Sequence, residues 1–175
     1  MSELRWRVFP RVSWIWLAWE RLYMSLHPAI PVRAGALFGV RRVHGVLELH
    51  LDSRALAKMR TAPGYTGFSA VRRMREDLAA LAARIRLGEF PGVRSIEGTS
   101  LMGEAGAVLG FEVRPLPRNL ANWLQQYFMV GIDALYHPRG LRTRSMRRWP
   151  VESRMSVEDL LKRYDAKSPR STTAR

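Results

Sequence analysis

Titratable side chains are where chemistry would sit, and this chain spaces them for very little of it. The histidines stand at His27, His44, His50 and His137, and there is no cysteine. No G-x-G-x-x-G follows a strand pattern, and no G-x-x-x-x-G-K-[ST], H-E-x-x-H or G-x-S-x-G occurs. The signatures of nucleotide binding, zinc proteolysis and ester hydrolysis are therefore missing. His44 falls in a predicted turn and His50 on a polar strand face, so the two do not converge on a metal. Asp133 and His137 are one helical turn apart, but Pro138 stops the helix there, and an ordinary helix-end hydrogen bond is the simpler reading.

The best acid/base candidate is Glu97 with Glu112. They lie in two alternating segments, 94–102 and 109–115, which read as an antiparallel hairpin across a Gly/Ala-rich loop. One register sets the two carboxylates opposite each other, and the other sets Glu97 opposite Arg114. The penalty for like charges across strands favours the second. With it the acid/base pair disappears, and no catalytic residue, metal site or cofactor is expected.

Two clusters point to binding instead. Within residues 137–156, Arg142, Arg144, Arg147 and Arg148 crowd together beside Trp149. A solvated connection is the ordinary reading; the sharper one is a strip whose guanidiniums grip phosphate or carboxylate while Trp149 offers a stacking face. The second cluster is SWIWLAWERLYMSLHP, a helix with Ser13 as N-cap that stops before Pro28. Ile15, Trp19, Leu22 and Leu26 form its expected core stripe. Trp14, Trp16 and Tyr23 are left over, and Trp14 and Trp16 are the candidate apolar anchor for a partner or a membrane interface. The apolar run 14–19 is too short to span a bilayer and lacks the length and cleavage site of a signal peptide, so the expected location is cytoplasmic or peripheral at a membrane, without a transmembrane segment.

The elements that must position these groups alternate between periods. Residues 36–51 read as a hairpin turning at His44-Gly45, with Phe38 and Val40 beside Leu49 and Leu51, and Arg41 opposite Glu48. Asp52 or Ser53 caps a short helix over 54–60. Ser69 caps a longer one with Val71, Met74, Leu78, Leu81 and Ile85 inward and Gly88 as its stop; two and a half heptads are too few for a coiled coil. Leu120–Tyr136 is apolar almost all round, which predicts a helix buried on more than one side, with Trp123 in the core beside Phe111 of the second hairpin. Ser156 and Asp159 open a last helix with Val157, Leu160, Leu161 and Tyr164 inward. The fold class is α+β: two antiparallel hairpins, about four strands, packed with a long amphipathic helix and a buried helix, plus N- and C-terminal helices. Residues 1–166 form one domain and 167–175 a disordered polar tail.

The chain of 175 residues is 47% hydrophobic, enough for a real core, and carries 29 basic against 15 acidic residues, a formal charge of +14. That favours anionic partners, although arginine so outnumbers lysine that genomic base composition contributes to the bias. Without cysteine the compartment stays open. The segments GTSLMGEAGAVLGFEVRPLP, SAVRRMREDLAALAARIRL and SMRRWPVESRMSVEDLLKRY, with WERLYMSLHP before them, resemble the YkoP-like domain family. The resemblance implies a small α+β domain of the kind found alone or appended to polysaccharide deacetylases. It carries over no catalytic residues, since the deacetylase's paired aspartates and His-x-x-x-His ligands are absent. The expectation is a non-catalytic accessory domain, associated with the envelope or polysaccharide metabolism, that binds a protein or an anionic surface such as acidic lipid or wall polymer. A nucleic-acid binder using the basic surface and an unrecognised enzyme are the alternatives; the first lacks a reading helix or aromatic strand motif.

Overall fold

A computed structural model describes residues 3–136 and 148–164, with side chains from Trp14 onward. Six strands form one mixed sheet in the order β1-β2-β3-β4-β6-β5. They are β1 (Ile30–Pro31), β2 (Phe38–Val43), β3 (Val46–Leu51), β4 (Ser95–Ser100), β5 (Glu112–Pro115) and β6 (Val151–Ser156). The helices are α1 (Glu3–Leu26), α2 (Ser53–Arg60), α3 (Gly67–Arg86), α4 (Gly103–Val108), α5 (Leu120–Tyr136) and α6 (Val157–Tyr164).

The first hairpin forms as its pattern requires. His44 and Gly45 both take positive φ, the conformation a two-residue turn needs to match strand twist, and Phe38 faces Leu51, Val40 faces Leu49 and Arg41 faces Glu48. The second predicted hairpin does not form. Residues 103–108 are helix α4, and β6 lies between β4 and β5, antiparallel to both. Glu97 therefore faces Arg154, not Arg114. β3 and β4 run parallel, which the long α2–α3 crossover between them permits, so the sheet has six strands and mixed pairing where about four antiparallel strands were expected.

One face of the sheet is dry. Leu47, Ile96 and Met155 lie side by side across β3, β4 and β6, under Met74, Leu78 and Leu81 of α3 and Leu160 of α6, all buried. Phe111 joins this core at 7% exposure. Thr66, rather than Ser69, is the N-cap of α3, and Ser69 completes a reciprocal capping box with it. Asp77 is the charged group in this layer: it is fully buried, accepts from the Leu37 amide at 2.6 Å and pairs with Arg33 at 2.6 Å, which ties the loop before β2 to α3. On α6, Ser156 and Asp159 form the predicted cap, and Tyr164 donates to the Leu109 carbonyl at 2.6 Å.

The other layer departs most from expectation. α1 begins at Glu3, ten residues before the proposed cap at Ser13. Its predicted core stripe, Ile15, Trp19, Leu22 and Leu26, is exposed, whereas Trp16 is buried. α5 is not buried on several sides either: Leu120 is 74% and Trp123 54% exposed, and Val130, Gly131 and Ala134 alone of its residues are buried. The two helices meet where Gly131 admits the Trp16 indole; a Cβ there would lie 2.8 Å from the ring. Tyr127 and Phe128 close around the same indole, with ring centroids 5.0 and 6.2 Å away.

Candidate functional site

Alternation places every second residue of the strands on the face opposite the core, and on that face the sheet carries a row of charge. Arg41, Glu48, Glu97, Arg154 and Glu112 stand in register across β2, β3, β4, β6 and β5. Glu48 and Glu97 are direct neighbours at the parallel pair, each held by an arginine on its outer side. Arg41 donates to Glu48 at 2.6 Å, and Arg154 forms an ion pair with Glu97 at 3.1 Å. Ser95 adds a 2.9 Å hydrogen bond to Glu97. Glu112 is two strands from Glu97 with Arg154 between them, and it pairs with Arg114 on its own strand at 2.5 Å. The carboxylate dyad considered from sequence is thus not formed by Glu97 and Glu112; the carboxylates that adjoin are Glu48 and Glu97.

α1 and α5 lie over this face and leave a cleft of about 1050 Å³ between themselves and the sheet. Its floor is polar, with Arg41, Glu48, His50, Glu97, Thr99 and Glu152, and its roof is apolar, with Ile15, Trp19, Met24, Leu124, Phe128 and Ile132 among the lining residues. One end is closed by α2, whose Arg60 pairs with Asp133 of α5 at 3.0 Å, and by a relay in which Arg54 donates to the Tyr136 hydroxyl and that hydroxyl donates to Glu20 at 2.5 Å. Burial, then the Glu20 hydrogen bond, pushes the Tyr136 hydroxyl pKa up, so it stays protonated as the donor.

His50 stands on the floor with its buried Nε2 3.5 Å from the Glu48 carboxylate and no well-formed hydrogen bond. Burial lowers its pKa, with the attraction of Glu48 acting the other way. Tyr23 covers it from α1, stacked on His27 at 4.3 Å and 6.2 Å from the His50 ring. Among the described residues no group of three or more acidic or histidine side chains is placed to hold a metal ion.

The residues singled out from sequence scatter around this cleft. Trp14 is 66% exposed on the outer side of α1, while Trp16 sits in the α1–α5 seam, so the proposed anchor pair is split. Arg148 lines the cleft and donates to the Leu101 carbonyl at 3.4 Å. Trp149 is half-buried, its indole N–H given to the Leu116 carbonyl at 2.7 Å, with Arg118 over its ring at 5.7 Å. Arg142, Arg144 and Arg147 lie outside the described residues, as do His137 and the tail. Residues 151–156, read as part of a solvated connection, are a central strand. Sequence reasoning missed Glu48, Glu152 and the roof residues as a site; the signal was there in the polar face of the first hairpin, in the aromatics left over on the N-terminal helix and in a helix over 120–136 that is apolar almost all round.

No helix among the described residues is long and apolar enough to cross a membrane. Searches among curated proteins and among solved structures find no match. The family model of the YkoP domain matches residues 39–164, a span that takes in the sheet from β2 onward, the charged row, α5 and α6, and stops short of α1. With well over half of its length covered by that model, the chain belongs to the YkoP domain family.

Proposed function

We propose that the protein is a non-catalytic binding module that works at the cell envelope by settling on an anionic lipid surface. The observation that supports this most directly is the outward side of α1 and α5. Trp14, Leu17, Leu22, Leu26, Leu120 and Trp123 are exposed and none of them lines the cleft. A helix pair apolar on its outer side needs a cover, and tryptophan suits one that is apolar within and wet at its edge. The charge of +14 selects an acidic surface, where each arginine or lysine near the headgroups contributes about 1 kcal/mol. In this reading Arg142, Arg144, Arg147, Arg148 and Trp149 are the cationic edge and Trp14 the anchor. The resemblance to domains appended to polysaccharide deacetylases supports an envelope role.

The test is co-sedimentation with vesicles of phosphatidylglycerol and phosphatidylcholine against phosphatidylcholine alone, at low and physiological salt. Binding to the acidic vesicles that falls with salt and weakens in a Trp14→Ser, Trp123→Ser double variant supports the proposal. Equal binding to both compositions, or binding unchanged by that variant, overturns it. Retention on an anionic wall polymer or on DNA with no vesicle binding would move the partner to that polymer.

A further inference from the structure

The cleft beneath α1 and α5 asks for a ligand of its own. Its two walls are chemically opposite, so water satisfies the floor and not the roof, while a purely apolar filler would strand the floor's charges. At about 1050 Å³ it stands at the upper end of the range of about 300–1,000 Å³ typical of small-molecule sites. Ile15, Met24, Leu124, Met129 and Ile132 give the roof branched and thioether side chains that repack around a flexible hydrocarbon. The lining includes Glu20, Glu48, Glu97, Asp133 and Glu152 against Arg41, Arg60 and Arg148. Acidic groups thus exceed basic ones here, in a chain whose overall charge is +14. Glu152, opposite Thr99 on the floor, has no ion-pair partner among the described residues. Two buried ring nitrogens of the lining also lack partners, His50 Nε2 on the floor and Trp16 Nε1 in the roof.

We infer that the cleft binds an elongated amphiphile, its hydrocarbon segment along the α1–α5 roof and a hydroxylated or ammonium head on the Glu97–Thr99–Glu152 floor. An anionic head is disfavoured by the excess of carboxylates. The site is separate from the outward apolar surface, because Trp14, Leu17, Leu22, Leu26, Leu120 and Trp123 do not line it; Arg148 belongs to both.

The experiment follows tryptophan fluorescence and calorimetry at physiological salt with single-chain probes below their micelle concentrations: lauroylcholine, dodecyl maltoside, laurate, and choline as the head alone. The expected order is lauroylcholine and dodecyl maltoside at least about tenfold tighter than laurate, with choline silent. Glu152→Gln should weaken lauroylcholine and leave dodecyl maltoside unchanged. Thr99→Phe, which fills the floor, should abolish both, with its melting temperature checked to show that it folds. Trp14→Ser, Trp123→Ser should bind all probes as the parent does. Laurate binding as tightly as lauroylcholine, full binding by a folded Thr99→Phe protein, or loss of binding in the outer-face variant would each overturn the inference.

Discussion

The two faces of the sheet use the same strands to opposite ends. On one, Leu47, Ile96 and Met155 meet α3 and α6 without water. On the other, one residue along each strand, Glu48 and Glu97 face a cleft that the covering helices do not fill. α3 and α6 bring a single apolar stripe and bury it. α1 and α5 bury little beyond the seam of Trp16 with Val130, Gly131 and Ala134, and keep apolar surface both toward the cleft and outward. The difference teaches that stability is concentrated in the α3 layer and that the α1–α5 layer is the more loosely held of the two.

The sharpest way to break this contrast is substitution on the dry face. Phe111→Ala should cost about 3–5 kcal/mol and Leu47→Ala about 2–5 kcal/mol in urea unfolding, as buried large-to-small changes; a loss below about 1 kcal/mol for either would mean the dry face is not the core. Next comes the seam. Trp16→Ala should lower the protection of α1 amides in hydrogen exchange while those of α3 stay unchanged, because the indole is the buried α1 side chain that packs on α5 at Gly131. Trp123→Ala should then cost less than about 1 kcal/mol, as an exposed position does, and Glu48→Gln a similar amount, because its pair with Arg41 is partly solvated.

The smallest effect is a pH dependence on the polar face. His50 has a folded-state pKa below its ordinary 6.5 because of burial. As pH falls through that ordinary value the unfolded chain takes up the proton before the folded one does, so stability declines on acidification through a window that opens around pH 6.5. His50→Phe should flatten that part of the profile; a parent protein equally stable across the window would show that the ring is not desolvated.

Much of the dry layer was legible from the amino acids. The spacing of Met74, Leu78 and Leu81, the positive-φ turn at His44-Gly45 and the Arg41–Glu48 pair each follow from local pattern, and local pattern decides them. β6 was not legible, because VESRMS buries only Met155 and its neighbours make it resemble a basic loop. The Glu97–Arg114 pairing failed for the same reason: alternation shows that two segments are strands and does not show which third strand comes between them. α5 misled in another way. An all-round apolar helix signals that every side needs a cover, but whether that cover is the protein itself or a partner is not encoded in the helix. The site suffered most, since its members are pairs brought together by strand order, as Glu48 and Glu97 are at the parallel junction.

The insertion of β6 between β4 and β5 also bears on how the protein is made. A ribosome delivers β4, α4, β5 and α5 first, and during that interval the edges of β4 and β5 that pair with β6 lack their partner strand. Only when residues 151–156 emerge can both ladders close. Chains stalled before that segment carry two open edges, the kind of surface on which nascent proteins aggregate or engage chaperones.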